Sequence, residues 1–187
     1  IDTMKCLKTE IQDLYVIEPS IFEDERGYFL ESFNLAYFQE NIGFVEFIQD
    51  NESRSSKGVL RGLHFQKPPF NQAKLIRCIE GRVLDVAVDI RKGSPTYGKH
   101  IAIELSGENK KQVFVPKGFA HGFSVLSESA VITYKVDNRY APEYDAGIRF
   151  DDEALQIDWR LPQEEVQLSE KDKNLPSFKD LDSPFNF

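Results

Sequence analysis

The sequence of residues 58–66, GVLRGLHFQ, brings two chemically capable side chains into a short apolar run. Arg61 carries a permanent positive charge, and His64 is one of only three histidines in the chain. An imidazole in this setting can bind a metal ion, transfer a proton near neutral pH, or fill the protein core. The surrounding sequence has to decide among these three roles.

A second histidine ends the segment PKGFAH at residues 116–121. This P-x-G-x-x-H pattern, together with the G-x5-H spacing of Gly58 and His64, is similar to the two halves of the cupin barrel motif, whose histidines converge inside a small barrel. Cupin metal sites use a second histidine two residues after the first, where this chain has Gln66, and no glutamate follows closely. Two histidines and a neutral amide are a poor metal shell. We therefore expect neither a metal nor another cofactor, and interpret His64 and His121 as acid–base groups.

The elements that must position these histidines are predicted to be short strands with turn signals between them. In residues 82–90, apolar side chains at every second position alternate with Asp85, Ala87 and Asp89, which predicts a strand with two different faces. Strands spaced by roughly 8 to 12 residues predict an antiparallel sandwich or barrel. The predicted strands are residues 44–49, 74–79, 82–90, 100–105, 112–115, 122–126 and 130–136.

Helix is predicted only at residues 35–40 and 152–155, and the polar tail from Pro162 is expected to wrap the surface or cap an opening. The residues before Met4 are expected to be an addition to the natural chain, so residues 4–187 are predicted to form a single domain.

Composition narrows the class of protein. The net charge of −8 argues against a general nucleic-acid binder, although a few arginines in a pocket can still attract a small anion. No apolar run approaches the roughly 20 residues of a membrane-spanning helix, so we expect no membrane association. The two cysteines have no metal-type spacing, and reduced thiols predict a cytoplasmic location.

Several longer segments carry a more specific pattern: RGLHFQ, QAKLIRCIEGRVLDVAVDIRKGSPTYG, FVPKGFAHGFSVLSESAVITYKVDNRYAP and LSEKD, preceded by FEDERGYFLESF and QDNESRSSKGVLRGLH. In this order, from about Met4 to Pro176, they closely resemble the dTDP-4-dehydrorhamnose 3,5-epimerase family. The resemblance implies an all-β, cupin-type jelly-roll barrel with a few short peripheral helices. It also implies a metal-independent homodimer that inverts C3 and C5 of dTDP-4-keto-6-deoxy-D-glucose, giving dTDP-4-keto-L-rhamnose for rhamnose and surface polysaccharide synthesis.

The chemistry of that reaction explains the residues that the resemblance assigns to it. A ketone at C4 acidifies the hydrogens at C3 and C5, and inversion needs a base on one face of the sugar and a proton donor on the other. By resemblance, His64 is the base, Asp172 the carboxylate that orients it, and Tyr134 the donor. Lys74 would stabilise the charge that develops on the ketone oxygen.

The resemblance also implies a set of ligand contacts. Arg26 and Arg61 would bind the diphosphate, because a guanidinium can grip two oxygens at once. The N-terminal segment is expected to cross to the other subunit of the homodimer, so that Arg26 and Glu31 serve the neighbouring pocket. The remaining expected ligand contacts are Phe22, Gln49, Asn51, His121 and Tyr140.

Three alternatives stay open at this point. The first is an epimerase that inverts C3 alone on a related nucleotide 4-ketosugar. The second is a metal-dependent cupin enzyme, and the third is a sugar-nucleotide binding module without catalysis.

Overall fold

Two antiparallel sheets dominate the computed structural model, which describes residues 3–187. One sheet has six strands and the other has five, and a separate two-stranded hairpin precedes the first helix. The strands are β1 (Met4–Lys8), β2 (Tyr15–Pro19), β3 (Ile21–Asp24), β4 (Gly27–Leu30), β5 (Gln49–Ser56), β6 (Leu60–Gln66), β7 (Lys74–Glu80), β8 (Arg82–Asp89), β9 (His100–Ser106), β10 (Gln112–Val115), β11 (Phe119–Val125), β12 (Ser129–Val136) and β13 (Asp145–Gly147).

The larger sheet has the order β1-β2-β10-β7-β12-β5, and the smaller has the order β13-β6-β11-β8-β9. Apolar side chains from both sheets meet between them, among them Ile76 and Ile132 from the larger sheet and Ala87, Phe119 and Phe123 from the smaller. Two antiparallel sheets that share one core in this way form a jelly-roll barrel. The predicted all-β, cupin-type fold is therefore confirmed.

Strand β8 shows why the sequence pattern was informative. Leu84, Val86 and Val88 pack on the outer face of the five-stranded sheet, whereas Val83 and Ala87 point into the barrel core. The two alternating sets therefore lie on opposite faces, as predicted. Both faces are covered by other parts of the chain, so every residue of the strand after Arg82 is buried.

The outer face of each sheet has its own cover. Helix α1 (Leu35–Asn41), which begins where the Asn34 side chain accepts a hydrogen bond from the Tyr37 backbone N–H, packs Phe38 against Phe114 of the larger sheet. The C-terminal third of the chain covers the smaller sheet with Ile148, Leu155, Trp159 and Phe185. The predicted wrapping of the tail is thus observed.

Two local predictions were wrong. Residues 44–49 were predicted to be a strand, but the strand β5 begins only at Gln49 and runs through the polar sequence QDNESRSS. Pairing with β12 along its whole length holds this polar segment extended, which its composition does not indicate. Residues 152–155 form a turn and not a helix.

Three short 3-10 helices, Pro142–Tyr144, Gln163–Glu165 and Phe178–Asp180, and the helix α2 (Glu170–Lys173) interrupt the C-terminal region. Among the described residues, no helix has the length and apolar character to cross a membrane.

Candidate active site

His64 lies on β6 and contacts a carboxylate from the far end of the chain. Its Nε2 atom is 2.5 Å from Oδ1 of Asp172, the third residue of α2. The other oxygen of Asp172 accepts a hydrogen bond from the Gly62 backbone N–H at 3.2 Å. With the Nε2 proton donated to Asp172, the second ring nitrogen, Nδ1, is the atom free to act as a base.

The environment of Asp172 favours its charged form. Burial raises the pKa of this carboxyl, but the contact with His64 and the Gly62 N–H outweigh burial and hold the pKa below its usual range. The side chain is only 3% exposed. A buried carboxylate that stays ionised next to an imidazole stabilises the protonated ring when it forms.

A second histidine–carboxylate pair lies beside the first. His121 on β11 is directly opposite His64 on the neighbouring strand β6. Its Nε2 atom is 2.8 Å from Oδ2 of Asp85 on β8. The buried Oδ1 of Asp85 has no hydrogen-bond partner among the described residues. Asp85 was missed as a site residue, although its place on the acidic face of the alternating strand was a usable signal.

The six-stranded sheet contributes two further groups to the same cavity. Lys74 opens β7 and Tyr134 lies on β12, and the lysine Nζ is 6.0 Å from the centre of the tyrosine ring. Burial lowers the pKa of Lys74, while the carboxylates of Asp145 and Asp85 oppose that shift. Burial raises the pKa of Tyr134, so its phenol keeps its proton at neutral pH.

The cavity between these side chains has a volume of about 500 Å³, which is within the usual range for a small-molecule site. Arg61, His64 and Asp172 line it together with Lys74, His121 and Tyr134. Arg61 donates a hydrogen bond from Nε to Ser55 Oγ at 3.2 Å. Six of the predicted site residues therefore meet in one cavity.

The C-terminal tail forms one wall of this cavity through Gln167, Leu168 and Ser169. Gln167 forms an isolated parallel β-bridge with Val59, and the Gln167 backbone N–H donates a hydrogen bond to the Gly58 carbonyl oxygen at 2.9 Å. These wall residues were missed, because nothing in a polar tail indicates which strand it will join.

Gln66, which occupies the second ligand position of the cupin metal motif, is committed to backbone contacts. Its Nε2 donates to the carbonyl oxygens of Phe70 and Arg139, and its Oε1 accepts from the Ala141 N–H. Across residues 3–187, no three His, Cys, Asp or Glu side chains cluster as a metal site would require.

The other predicted ligand contacts lie outside the cavity. Phe22 and Arg26 are on the hairpin β3–β4, where Arg26 pairs with Asp24 at 2.5 Å. Glu31 accepts a hydrogen bond from Thr3, and Tyr140 is an exposed side chain that contacts Asp145.

Gln49 and Asn51 lie at the edge strand β5, with 2.8 Å between Gln49 Nε2 and Asn51 Oδ1. Asn51 is directly opposite Tyr134 in the strand register, and its side chain opposes the rise in the pKa of Tyr134 that burial causes. These two amides are therefore connected to the cavity through Tyr134.

The cavity of this jelly-roll barrel thus combines an imidazole–carboxylate pair with a phenol and an ammonium group from the six-stranded sheet. These features together define an enzyme that moves protons on a small anionic substrate. The family model for dTDP-4-dehydrorhamnose 3,5-epimerase matches residues 8–180. The chain belongs to this family of isomerases.

Individual relatives agree with this assignment. The dTDP-4-dehydrorhamnose 3,5-epimerase of Shigella flexneri is 52% identical over 180 residues, which cover 96% of this chain and 98% of that protein. A crystal structure of the enzyme from Elizabethkingia anophelis has 56% identity and a TM-score of 0.92, over 96% of this chain and 98% of that one. A structure of the Legionella pneumophila dTDP-6-deoxy-D-glucose-3,5-epimerase in complex with dTDP-4-keto-L-rhamnose has 48% identity and a TM-score of 0.94, over 98% of both chains.

Proposed function

We propose that this protein inverts C3 and C5 of dTDP-4-keto-6-deoxy-D-glucose and releases dTDP-4-keto-L-rhamnose. The observation that carries the proposal is the 2.5 Å contact between His64 and Asp172 in a cavity whose opposite sheet supplies Tyr134 and Lys74. Base and proton donor thus come from different sheets, and this arrangement allows them to approach a carbon held between them from opposite faces, as inversion requires.

In the proposed reaction, Nδ1 of His64 removes the proton from C3 or C5, and the electron pair of the broken C–H bond forms an enolate with the C4 ketone. The Lys74 ammonium stabilises the negative oxygen, which carries more charge in the transition state than in the substrate. Tyr134 donates a proton to the opposite face of the same carbon. Solvent then reprotonates the tyrosine and removes the proton from His64, so the site is restored for the second carbon.

For the nucleotide part, we assign Arg61 to the diphosphate, and His121 to the lining beside the sugar. Three of the other proposed contacts, Phe22, Arg26 and Glu31, come from a second subunit. The hairpin β3–β4 carries exposed Phe22, Tyr28 and Phe29, and large exposed apolar patches are typical of protein–protein contacts. We propose a homodimer in which this hairpin reaches the neighbouring pocket, so that Phe22, Arg26 and Glu31 join Gln49, Asn51 and Tyr140 of the other copy around the nucleoside.

We further propose that residues 4–187 act as one catalytic domain without metal or cofactor. A cytoplasmic location remains a prediction, consistent with two cysteines that are both free thiols. Metal analysis and chelator treatment of active enzyme would check the first statement, and cell fractionation would check the second.

A coupled assay tests the proposed function. The protein is incubated with dTDP-4-keto-6-deoxy-D-glucose and a reductase that accepts dTDP-4-keto-L-rhamnose. We expect dTDP-L-rhamnose to accumulate. A product inverted at C3 alone would contradict the proposal in favour of a C3 epimerase, and nucleotide binding without turnover would reduce it to a binding module.

A further inference from the structure

The side chain of Gln66 holds both peptide groups that flank Tyr140. Its Nε2 donates to the carbonyl oxygens of Phe70 at 2.6 Å and Arg139 at 3.0 Å, and its Oε1 accepts from the Ala141 N–H at 2.8 Å. The Arg139 carbonyl belongs to the peptide group before Tyr140, and the Ala141 N–H belongs to the one after it. Because each peptide group is planar, holding both of them fixes φ and ψ of Tyr140 and the direction in which its side chain leaves the backbone.

Tyr140 needs this support because its own side chain is little restrained. It is 59% exposed, and its hydroxyl donates to Asp145 at 3.3 Å. Residues 139–141 belong to neither a strand nor a helix. The backbone of this segment therefore takes its position from the side chains that reach it.

Gln66 is the buried member of a group of amides at this junction. Gln72 Nε2 donates to the Asn138 carbonyl oxygen at 2.8 Å, and Asn138 Nδ2 donates to the Pro69 carbonyl oxygen at 2.9 Å, but both of these side chains are partly exposed. Gln66 is only 5% exposed, and both of its N–H donors and its oxygen are used. Hydrogen bonds away from water are stronger, so Gln66 contributes most to the fixed position of the segment.

We propose that Gln66 is a positioning residue for nucleotide binding, which holds residues 139–141 so that the Tyr140 ring already has its bound orientation in the free enzyme. The inference rests on the proposed function, which places Tyr140 around the nucleoside. A contact residue that is ordered in advance saves the free energy of ordering it on binding. Gln66 follows His64 by two residues and projects from the same face of β6, so one strand carries the base and also fixes a nucleotide contact.

The experiment compares Gln66→Met with the unchanged enzyme. Methionine has a similar length and no group that can replace the three hydrogen bonds. The dissociation constant of dTDP is measured by calorimetry, and kcat and KM are measured in the coupled assay. We expect dTDP to bind about 10-fold more weakly and KM to rise to a similar extent, with kcat within about threefold of wild type, because the loss affects substrate and transition state equally.

Two results with this variant would overturn the inference. Unchanged affinity for dTDP would show that the segment is held without Gln66. A fall in kcat at unchanged KM would show that Gln66 acts through the nearby His64 and not through the nucleotide.

Gln66→Glu is measured as well, since it has nearly the same shape and keeps the test open if Gln66→Met does not fold. Its carboxylate can still accept the Ala141 N–H, but it cannot donate to Arg139 when ionised. We expect at least about threefold weaker binding of dTDP, and wild-type affinity in this variant would contradict the proposed role.

A double variant tests whether Gln66 acts through Tyr140. Tyr140→Ala should weaken dTDP binding by about 10-fold or more. Adding Gln66→Met to it should cost no more than about a further twofold, because the residue that Gln66 positions is already gone. Losses that multiply, or a Tyr140→Ala variant with unchanged affinity, would overturn the inference.

Ser124→Ala is the control for general destabilisation. The buried Ser124 hydroxyl donates to the Trp159 carbonyl oxygen at 2.8 Å, so this variant also loses a buried hydrogen bond. It should lower the melting temperature and leave dTDP binding within about twofold. A loss of affinity as large as that of Gln66→Met would mean that destabilisation alone weakens binding, and the positioning role would be wrong.

The two readouts separate this inference from the proposed function. A wild-type enzyme that binds dTDP without turnover would refute the proposed reaction, while the dTDP measurements would still decide the role of Gln66. An active wild type together with a Gln66→Met variant of unchanged affinity would refute only the positioning role. Thermal melting confirms that each variant is folded.

Discussion

At the scale of single residues, burial and the contacts around each group together set the protonation state on which the proposed reaction depends. Asp172 stays ionised although it is buried, because His64 and the Gly62 N–H stabilise its charge. Tyr134 has its pKa raised by burial and remains a donor. Burial lowers the pKa of Lys74, and the carboxylates of Asp145 and Asp85 oppose this shift without cancelling it, so the ammonium loses its proton more readily than that of an ordinary lysine.

The alkaline side of the pH profile should therefore report on Lys74. The ammonium is lost as the pH rises through its lowered pKa, so activity should fall at a lower pH than an ordinary lysine would cause. Lys74→Arg keeps a permanent charge and should move this limb to higher pH, whereas Lys74→Met should reduce turnover by about 100-fold at neutral pH. Initial rates between neutral and alkaline pH would check this, and an unchanged limb in Lys74→Arg would assign it to another group.

Tyr134→Phe tests the donor separately from the base. The ring and its packing remain, but the phenolic proton is lost. Because His64 can still remove substrate protons, we expect deuterium exchange from solvent to continue while formation of the inverted product falls by about 100-fold or more. Mass spectrometry measures the exchange and proton NMR the configuration. Equal loss of both would mean that Tyr134 is needed before the proton is removed.

At the scale of elements, the tail that lines the cavity is hydrogen-bonded to Gly58 through the Gln167 backbone N–H. Gly58 lies just before β6, the strand that carries His64. This glycine has a φ of +83°, and a Cβ there would lie 2.3 Å from the Glu165 carbonyl oxygen. Gly93 has nearly the same φ, +84°, but an added Cβ would have no atom within 4 Å. The two positions thus share the backbone strain and differ only in the clash.

Gly58→Ala should consequently lower the free energy of unfolding by about 3 kcal/mol or more, and Gly93→Ala by only about 1 kcal/mol. Gly58→Ala should also reduce substrate affinity, because residues 167–169 move with the tail. Urea unfolding and binding measurements would check both effects. Equal destabilisation in the two variants would show that the contact between tail and strand contributes little.

The elements also show what the sequence could and could not predict. β8 and β10 were predictable because alternation or a bounded apolar run marks them. The polar strand β5 was not, since its extended form comes from pairing with β12. The hairpin β3–β4 was also missed, although its two strands pair with each other across a short turn. The wrapping of the tail was predicted, but the strand that it joins was not, because that contact is between distant parts of the chain.

At the scale of the whole molecule, the cavity is assembled from both sheets and the tail. His64 and Asp172 are 108 positions apart in sequence, and spacing alone could not join them, whereas the resemblance to the family named both. The same resemblance named Arg26 and Glu31, which lie outside the cavity of a single chain. Their distance from the cavity is what a site completed by a second subunit would show.

The dimer is therefore the prediction at this scale. Phe29, on the hairpin, is 68% exposed. Phe29→Asp should convert the dimer to a monomer of about 21.5 kDa. It should also weaken dTDP binding by at least about 10-fold, because the contacts that the hairpin makes in the neighbouring pocket are lost. Phe44→Asp, at an even more exposed phenylalanine outside the hairpin, is the control. Sedimentation measures the mass, and a monomeric wild-type enzyme with full affinity would contradict the exchanged hairpin.

The central claim is that His64, oriented by Asp172, removes the protons at both carbons next to the ketone. Turnover of dTDP-4-keto-6-deoxy-D-glucose in deuterium oxide, followed by NMR, tests it most directly when wild type and His64→Asn are compared. The account predicts one deuterium at C3 and one at C5 of an L-configured product with the wild type, and a rate lower by about 1,000-fold or more at both positions with His64→Asn. Labelling of His64→Asn at the wild-type rate, at either carbon, would contradict it.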